Sequence, residues 1–426
     1  MLSILSMPEV EFPKNFLWGA ATAGHQIEGD NVNCQNYAFE IEGNYAEKSA
    51  KACNHWELYR EDVKLLAKLG IRAYRMSVEW SRIEPERGKR DQKALARYCD
   101  LMARLKKEGI SVFVTLHHFT HPLWFHKLGG FEKRENIAHF EKHLKFLVPL
   151  ISKYVDGWNV FNEFNMDRDL ARCDYKANML IAHAKGYRII KRLSKAPVST
   201  AHALIDFHPH DQLSILDRTT AELADWLNNE YFFHAIRTGD IVLPYRDVEH
   251  VPELKGAMDF WAMNYYTRHF VSARMKNAMT KRHACNRVRM IPREFYLEEM
   301  YPEGLINLLG RLKDRPVYIT ENGCSCDDDR LRLVYITRYL HALSEAIGRG
   351  VDVRGYFYWS LMDNYEWSSF LPRFGLVDVD FKTFKRTPKQ SAKFYTEIIK
   401  NNGITRKMHD NYLKPLTDFK AYEING

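Results

Sequence analysis

Two glutamates end otherwise apolar runs: Glu163 in Trp158-Asn-Val-Phe-Asn-Glu and Glu321 in Pro316-Val-Tyr-Ile-Thr-Glu-Asn-Gly. One charge leaving a buried strand has an ordinary reading, a carboxylate facing water or an arginine. Two of them, on two such strands, admit a specific chemistry. Cleavage of a glycosidic bond needs an acid that protonates the leaving oxygen and a carboxylate on the opposite face of the sugar. In the retaining form that carboxylate attacks the anomeric carbon, and the acid then turns to base. An ionised Glu321 is expected to raise the pKa of Glu163 and keep it protonated for the first step.

The elements that must bring these groups together recur along the chain as a short β-branched or aromatic run followed by a longer amphipathic segment. Eight strands are expected, at Leu17–Thr22, Ala73–Trp80, Ser111–His118, Trp158–Glu163, Val198–Ile205, Asp259–Tyr266, Pro316–Glu321 and Gly355–Leu361. Helices are expected at His55–Leu69, Leu95–Glu108, Ile137–Tyr154, Tyr175–Ser194 and Leu331–Arg349. In the first of these Trp56, Tyr59, Val63, Leu66 and Leu69 repeat at helical spacing, and Gly70 marks its end. A doubly wound open sheet shares this grammar. The barrel is favoured because Glu79, His118, Glu163, Asn264 and Glu321 all fall at the C-terminal ends of different strands, which a barrel gathers on one face. The expected fold is therefore an α/β (β/α)8 TIM barrel, one domain over residues 1–426 with residues 1–11 as an N-terminal extension.

Composition sets the outer bounds. A chain that is 46% hydrophobic and 27% charged reads as globular, and no Gly/Ser/Pro-rich linker divides it. The formal charge of +8 is spread rather than run together, so neither nucleic acid nor membrane is an expected partner. The densest basic stretch, Arg274 to Arg289, reads as a solvated loop, with an acidic ligand as the alternative. Seven cysteines without secreted-framework spacing read as reduced thiols, and the opening residues lack a signal-peptide pattern. A cytoplasmic protein is expected.

A series of motifs runs along the chain from about Phe12 to about Ile399. They are Phe16-Leu-Trp-Gly-Ala-Ala-Thr-Ala-Gly-His-Gln26-Ile-Glu-Gly, Tyr74-Arg75-Met-Ser-Val-Glu-Trp-Ser-Arg-Ile-Glu-Pro, Thr115-Leu-His-His118-Phe and Asn162-Glu163. Further on come Asn264-Tyr-Tyr266, Thr320-Glu321-Asn-Gly and Tyr356-Phe-Tyr-Trp359-Ser-Leu-Met-Asp-Asn-Tyr-Glu366-Trp367. Together, and in this order, they resemble family 1 glycoside hydrolases, and the resemblance implies a β-glycosidase with an acid/base at Glu163, a nucleophile at Glu321 and retention of configuration. It implies that Arg75 keeps the nucleophile ionised and that Tyr266 orients it. It also implies sugar contacts from Gln26, His118, Asn162, Asn264, Glu366 and Trp367, with Trp359 as a platform beneath the ring. The implied partners are small β-glycosides or oligosaccharides, and no cofactor is implied.

Taken singly, Gln26 and Asn162 read as structural amides, His118 as a core histidine, and Trp359 and Trp367 as core rings. Only their joint match moves them to a sugar site. His117 and His118, with His121 three residues on, invite a metal reading, but adjacent strand residues point to opposite faces, so no metal is expected. Three positions depart from the family pattern: Phe164 stands where proline is usual, Phe119 where tryptophan is, and His25 where tyrosine is. Loss of the proline is expected to alter how firmly Glu163 is held. The charge of Glu366 opposes a phosphate on the sugar, so unphosphorylated β-glucosides, β-galactosides or β-fucosides are the expected substrates. Two alternatives share the residues: a transglycosidase, and a sugar-binding barrel that has lost catalysis.

Overall fold

The computed structural model describes residue 4 and residues 7–166, 170–274, 290–291 and 298–416. Apart from Arg274, the basic stretch to Arg289 lies outside the described residues. Eight strands appear in the predicted order: β1 (Leu17–Ala21), β2 (Ala73–Ser77), β3 (Ser111–Thr115), β4 (Gly157–Asn162), β5 (Val198–Pro209), β6 (Trp261–Val271), β7 (Val317–Asn322) and β8 (Val353–Trp359). Each pairs in parallel with its neighbour, and β8 returns to β1 with Gly355 opposite Leu17 and Trp359 opposite Ala21, closing the barrel.

A helix follows each strand: α1 (His55–Lys68), α2 (Gln92–Lys107), α3 (Ile137–Ile151), α4 (Cys173–Leu193), α5 (Ile215–Asp225), α6 (Pro302–Leu309), α7 (Asp329–Gly348) and α8 (Gln390–Asn401). Local chemistry sets their ends. Asp91 caps α2 by accepting from the Lys93 and Ala94 amides at 2.8 and 3.0 Å, and Asp328 caps α7 through the Arg330 amide at 3.0 Å. Past α1 the chain reverses at Gly70 with φ +70°, a conformation that glycine takes without a Cβ penalty. No described helix is long and apolar enough to cross a membrane. Six described cysteines are free thiols.

The barrel interior is packed from below by rings set against small residues. Phe113 lies 5.0 Å from Phe357 and 5.6 Å from Tyr318, and Ala73, Ala201 and Ala262 fill the spaces between strands. Gly19 and Gly157 are required here, since a Cβ on either would sit 2.5 Å from a Phe357 or Phe113 ring carbon. This apolar plug seals the lower end and leaves the upper end for polar groups.

Several strand ends differ from expectation. β2 stops at Ser77, and Trp80–Ile83 winds into a short helix instead of extending the strand. β5 and β6 instead overrun Ile205 and Tyr266, continuing as a paired ribbon to Pro209 and Val271. The ribbon carries Asp206, His208 and Arg268, and this mixture hides the strand from a hydrophobicity pattern. It rises above the barrel and walls one side of the mouth.

Candidate active site

Directly above the apolar plug sits Arg75, fully buried on β2. Its Nε donates to Thr115 Oγ1 at 3.2 Å, Nη1 to Glu321 Oε1, and Nη2 to Asn162 Oδ1 at 2.5 Å. The guanidinium therefore ties β2, β3, β4 and β7 into one polar layer. The other carboxylate oxygen of Glu321 accepts from the Tyr266 hydroxyl at 2.8 Å. Burial first, then the Glu321 charge, pushes the Tyr266 phenol well above its usual range, so it stays a donor. Glu321 thus meets a cation on one oxygen and a neutral donor on the other.

Glu163 follows β4 at a backbone turn with φ +48° and is buried. Its Oε1 accepts from Asn264 Nδ2 at 2.7 Å, and that amide also donates to Asn162 at 3.2 Å while its oxygen accepts from Thr320 at 2.6 Å. Asn264 was expected to contact sugar, but its carboxamide is engaged by protein on both ends. Glu163 is pushed up to about 8, by burial first and by the Glu321 charge second. The Glu321 charge, expected from the sequence, is the smaller cause; the apolar surroundings are the larger because they disfavour the ionised form whatever its neighbours. One carboxyl that holds a proton at neutral pH faces another that is braced by a cation.

A third carboxyl closes the far side. Glu366 accepts from the Trp359 indole N–H at 3.1 Å and from Gln26 Nε2 at 3.1 Å, and burial pushes it up to about 8. Gln26 also donates to Asn364 at 2.9 Å, while its Oε1 is buried without a partner. His118 accepts from Asn162 Nδ2 at 3.2 Å through Nε2, which places its proton on Nδ1, also buried and unpartnered. Burial and the Arg75 charge keep its pKa well below the usual range, so it is neutral. Both side chains, Gln26 and His118, line the cavity.

Four rings stand nearly parallel behind these groups. His118 lies 6.0 Å from Trp359 at 15° and 6.0 Å from Trp367 at 14°, and His25 lies 5.9 Å from Trp367 at 16°. His25 is behind the wall rather than on it, and Glu40 takes its Nε2 at 3.0 Å. Phe119 lines the cavity edge-on to Trp367. Phe164 points away from the cavity into the core, 5.9 Å from Phe161 and 5.8 Å from Phe232.

The cavity measures about 490 Å³ and brings together Glu163, Glu321, Tyr266, Gln26, His118, Asn162, Asn264, Trp359, Glu366 and Trp367. Arg75 lies beneath it. Sequence reasoning missed Asn36 and Tyr45 on one rim and Met166, Ala203, Ile205, Thr267 and His269 on the other. The last two could be found only by extending β6 past Tyr266. Glu79 does not reach the cavity: its carboxylate accepts from Asn31, Ser77 and Thr120 at 3.0, 3.0 and 2.6 Å, because the chain turns into a helix there. His117 faces outward against Phe131 and Phe161, with His121 3.3 Å away. Among the described residues no three histidine, cysteine or acidic side chains gather as a metal site.

A barrel with this mouth is a β-glycosidase. The sequence model of glycosyl hydrolase family 1 matches residues 9–404, and the chain belongs to that family. Beta-glucosidase A of Thermotoga maritima is 30% identical over 92% of this chain and 99% of its own length. The 6-phospho-beta-galactosidase of Leptotrichia buccalis is 31% identical, over 91% of this chain and 98% of its own. The solved structure of a beta-glycosidase from Pyrococcus horikoshii is 38% identical and superposes with a TM-score of 0.84, covering 95% of this chain and 98% of that one.

Proposed function

We propose that the chain is a retaining exo-β-glycosidase acting on unphosphorylated β-glucosides, β-galactosides or β-fucosides. The observation that carries this reading is the pairing of a protonated Glu163 with an Arg75-braced Glu321 across one sugar-sized cavity. Glu321 attacks the anomeric carbon, and Glu163 gives its proton to the departing glycosidic oxygen. The bond to the aglycone breaks as the bond to Glu321 forms. The charge on Glu321 is then consumed, Glu163 takes a proton from water, and the hydroxide equivalent attacks from the face that the aglycone left, displacing Glu321 with net retention. Asn162, His118, Gln26 and Glu366 hold the hydroxyls, and Trp359 lies under the ring.

Relatives of both phosphate classes resemble the chain, so phosphate preference is argued from the cavity wall. Among the described residues, no lysine or arginine lines the wall. A phosphate dianion placed beside Glu366 would find no cation to balance it, and a carboxyl that becomes repulsive as pH rises through about 8. A reducing compartment, the cytoplasm, fits the free thiols.

The test is a panel of aryl β-glycosides, with and without 6-phosphate, given to the wild type, Glu321→Ala and Glu163→Ala. Turnover of the unphosphorylated members with the β-anomer as first product, abolished in Glu321→Ala, supports the reading. A folded wild type that is inert on the panel, or that yields the α-anomer first, overturns it.

A further inference from the structure

Two residues beyond Glu163, Asn165 is fully buried, and its carboxamide is matched mainly to main chain, with His202 Nε2 also 3.1 Å from its Nδ2. Its Nδ2 donates to the Ala203 carbonyl at 2.7 Å, and its Oδ1 accepts from the Ala203 amide at 3.1 Å. This reciprocal pair copies a rung of a β-ladder. The backbone ladder between β4 and β5 has already ended: its last rung joins Asn162 to Ala201, and the chain then turns away at Glu163. The Asn165 side chain thus occupies the place that a continued β4 would have filled.

The same carboxamide reaches a second element. Its other Nδ2 hydrogen goes to the Asn228 carbonyl at 2.9 Å, inside the π-helical turn Trp226–Glu230. That carbonyl also accepts from His202 Nε2 at 2.7 Å, and the Asn228 side chain donates to the Ala203 carbonyl at 2.7 Å. Lys176 of α4 donates to the Asn165 and Leu227 carbonyls at 3.3 Å each. The segment after Glu163 is therefore fastened to β5, to the π-turn and to α4. Phe164 adds depth by wedging between Phe161 and Phe232, but ring packing is non-directional. A two-point amide pair also fixes orientation.

Orientation matters because Glu163 sits at a positive φ, which a residue with a Cβ holds only when its surroundings impose it. Its carboxyl has a hydrogen bond from Asn264 on one oxygen. The direction of the other oxygen follows from the backbone.

We infer that Asn165 is a positioning residue, whose carboxamide rung with Ala203 aims the Glu163 carboxyl at the glycosidic oxygen. The inference rests on the proposed function, in which Glu163 transfers the proton. It also accounts for how this chain manages without the proline at position 164: a hydrogen-bonded rung does the work of a stiff ring.

The experiment compares Asn165→Ala with the wild type and with Glu163→Ala on aryl β-glycosides whose leaving groups run from dinitrophenol to phenol. A displaced proton donor should lower kcat/KM on the phenyl glycoside on the order of 10- to 100-fold and on the dinitrophenyl glycoside by under about 3-fold. Azide should restore turnover of the dinitrophenyl glycoside and give a β-glycosyl azide, since that nucleophile needs no base. A loss that is equal across all leaving groups, or no loss, overturns the inference. If Asn165→Ala does not fold, Asn165→Ser, a smaller change, carries the same comparison. If Glu163→Ala itself shows no leaving-group dependence, the acid/base reading has failed. If it does and the Asn165 variant does not, only the positioning role has failed.

Discussion

Tyr266 donates its hydroxyl hydrogen to Oε2 of Glu321 over 2.8 Å, on the side of the carboxylate away from Arg75. Tyr266→Phe leaves the arginine in place and removes only the orienting bond. A hydrogen bond to a charged group contributes about 1.5–3 kcal/mol, so kcat/KM should fall roughly 10- to 100-fold. The fall should be the same for good and poor leaving groups, because proton donation is untouched. Steady-state kinetics on the aryl panel measure it, and a leaving-group-dependent loss would contradict the assignment.

The raised pKa of Glu163 makes a pH prediction for the free enzyme. The active form carries a proton on Glu163 and none on Glu321, so kcat/KM should hold level through neutral pH and drop about tenfold per pH unit above about 8. A pH–rate profile whose alkaline limb lies near 5 would contradict this.

The same shift has a consequence for stability. An unperturbed glutamate titrates at about 4.3, so the folded state binds this proton more tightly than the unfolded chain does. Its contribution to stability is present below about 4.3 and fades as pH rises through about 8. Glu163→Gln does not titrate. Its melting temperature relative to wild type should therefore climb from pH 5 to pH 9, and a difference that stays flat would refute the assignment.

Glu366 is held by the Trp359 indole and Gln26 at 3.1 Å each. Glu366→Ser should lower kcat/KM on an aryl β-glucoside by roughly 10- to 100-fold through lost sugar contacts. Above about pH 8, where the Glu366 carboxyl is ionised, the substitution should also narrow the preference over the 6-phosphate, because the charge that opposes phosphate is gone. If the two substrates fall in parallel, Glu366 does not set phosphate preference.

Phe164 fills a site between Phe161 and Phe232. Phe164→Ala should lower unfolding free energy by about 3–5 kcal/mol, the range for truncating a buried aromatic ring. Denaturant titration tests this, and a loss within the range of a surface substitution would show that the ring is not structural.

The barrel was legible because each strand is a short apolar run before an amphipathic helix, and the end signal at Gly70 acts over a few residues. The site was legible to the extent that its groups end strands. Glu163, Asn264 and Glu321 did so and converge. Glu79 seemed to do so and does not, since β2 stops at Ser77 and its carboxylate turns to Asn31 and Thr120. Asn165 carried no signal: its main-chain partners, Ala203 and Asn228, are 38 and 63 residues away.

By itself the sequence determined the alternation of strands and helices, and with it which ends would meet, because period and end signals are local properties of the chain. What the tertiary structure alone decided is the state of the groups that meet there. The proton on Glu163, the neutrality of His118 and the hold on the Glu163 turn depend on how much water is excluded and which distant carbonyls lie within hydrogen-bond reach. Burial and hydrogen bonding of that kind exist only once strands far apart in the chain have closed into one barrel.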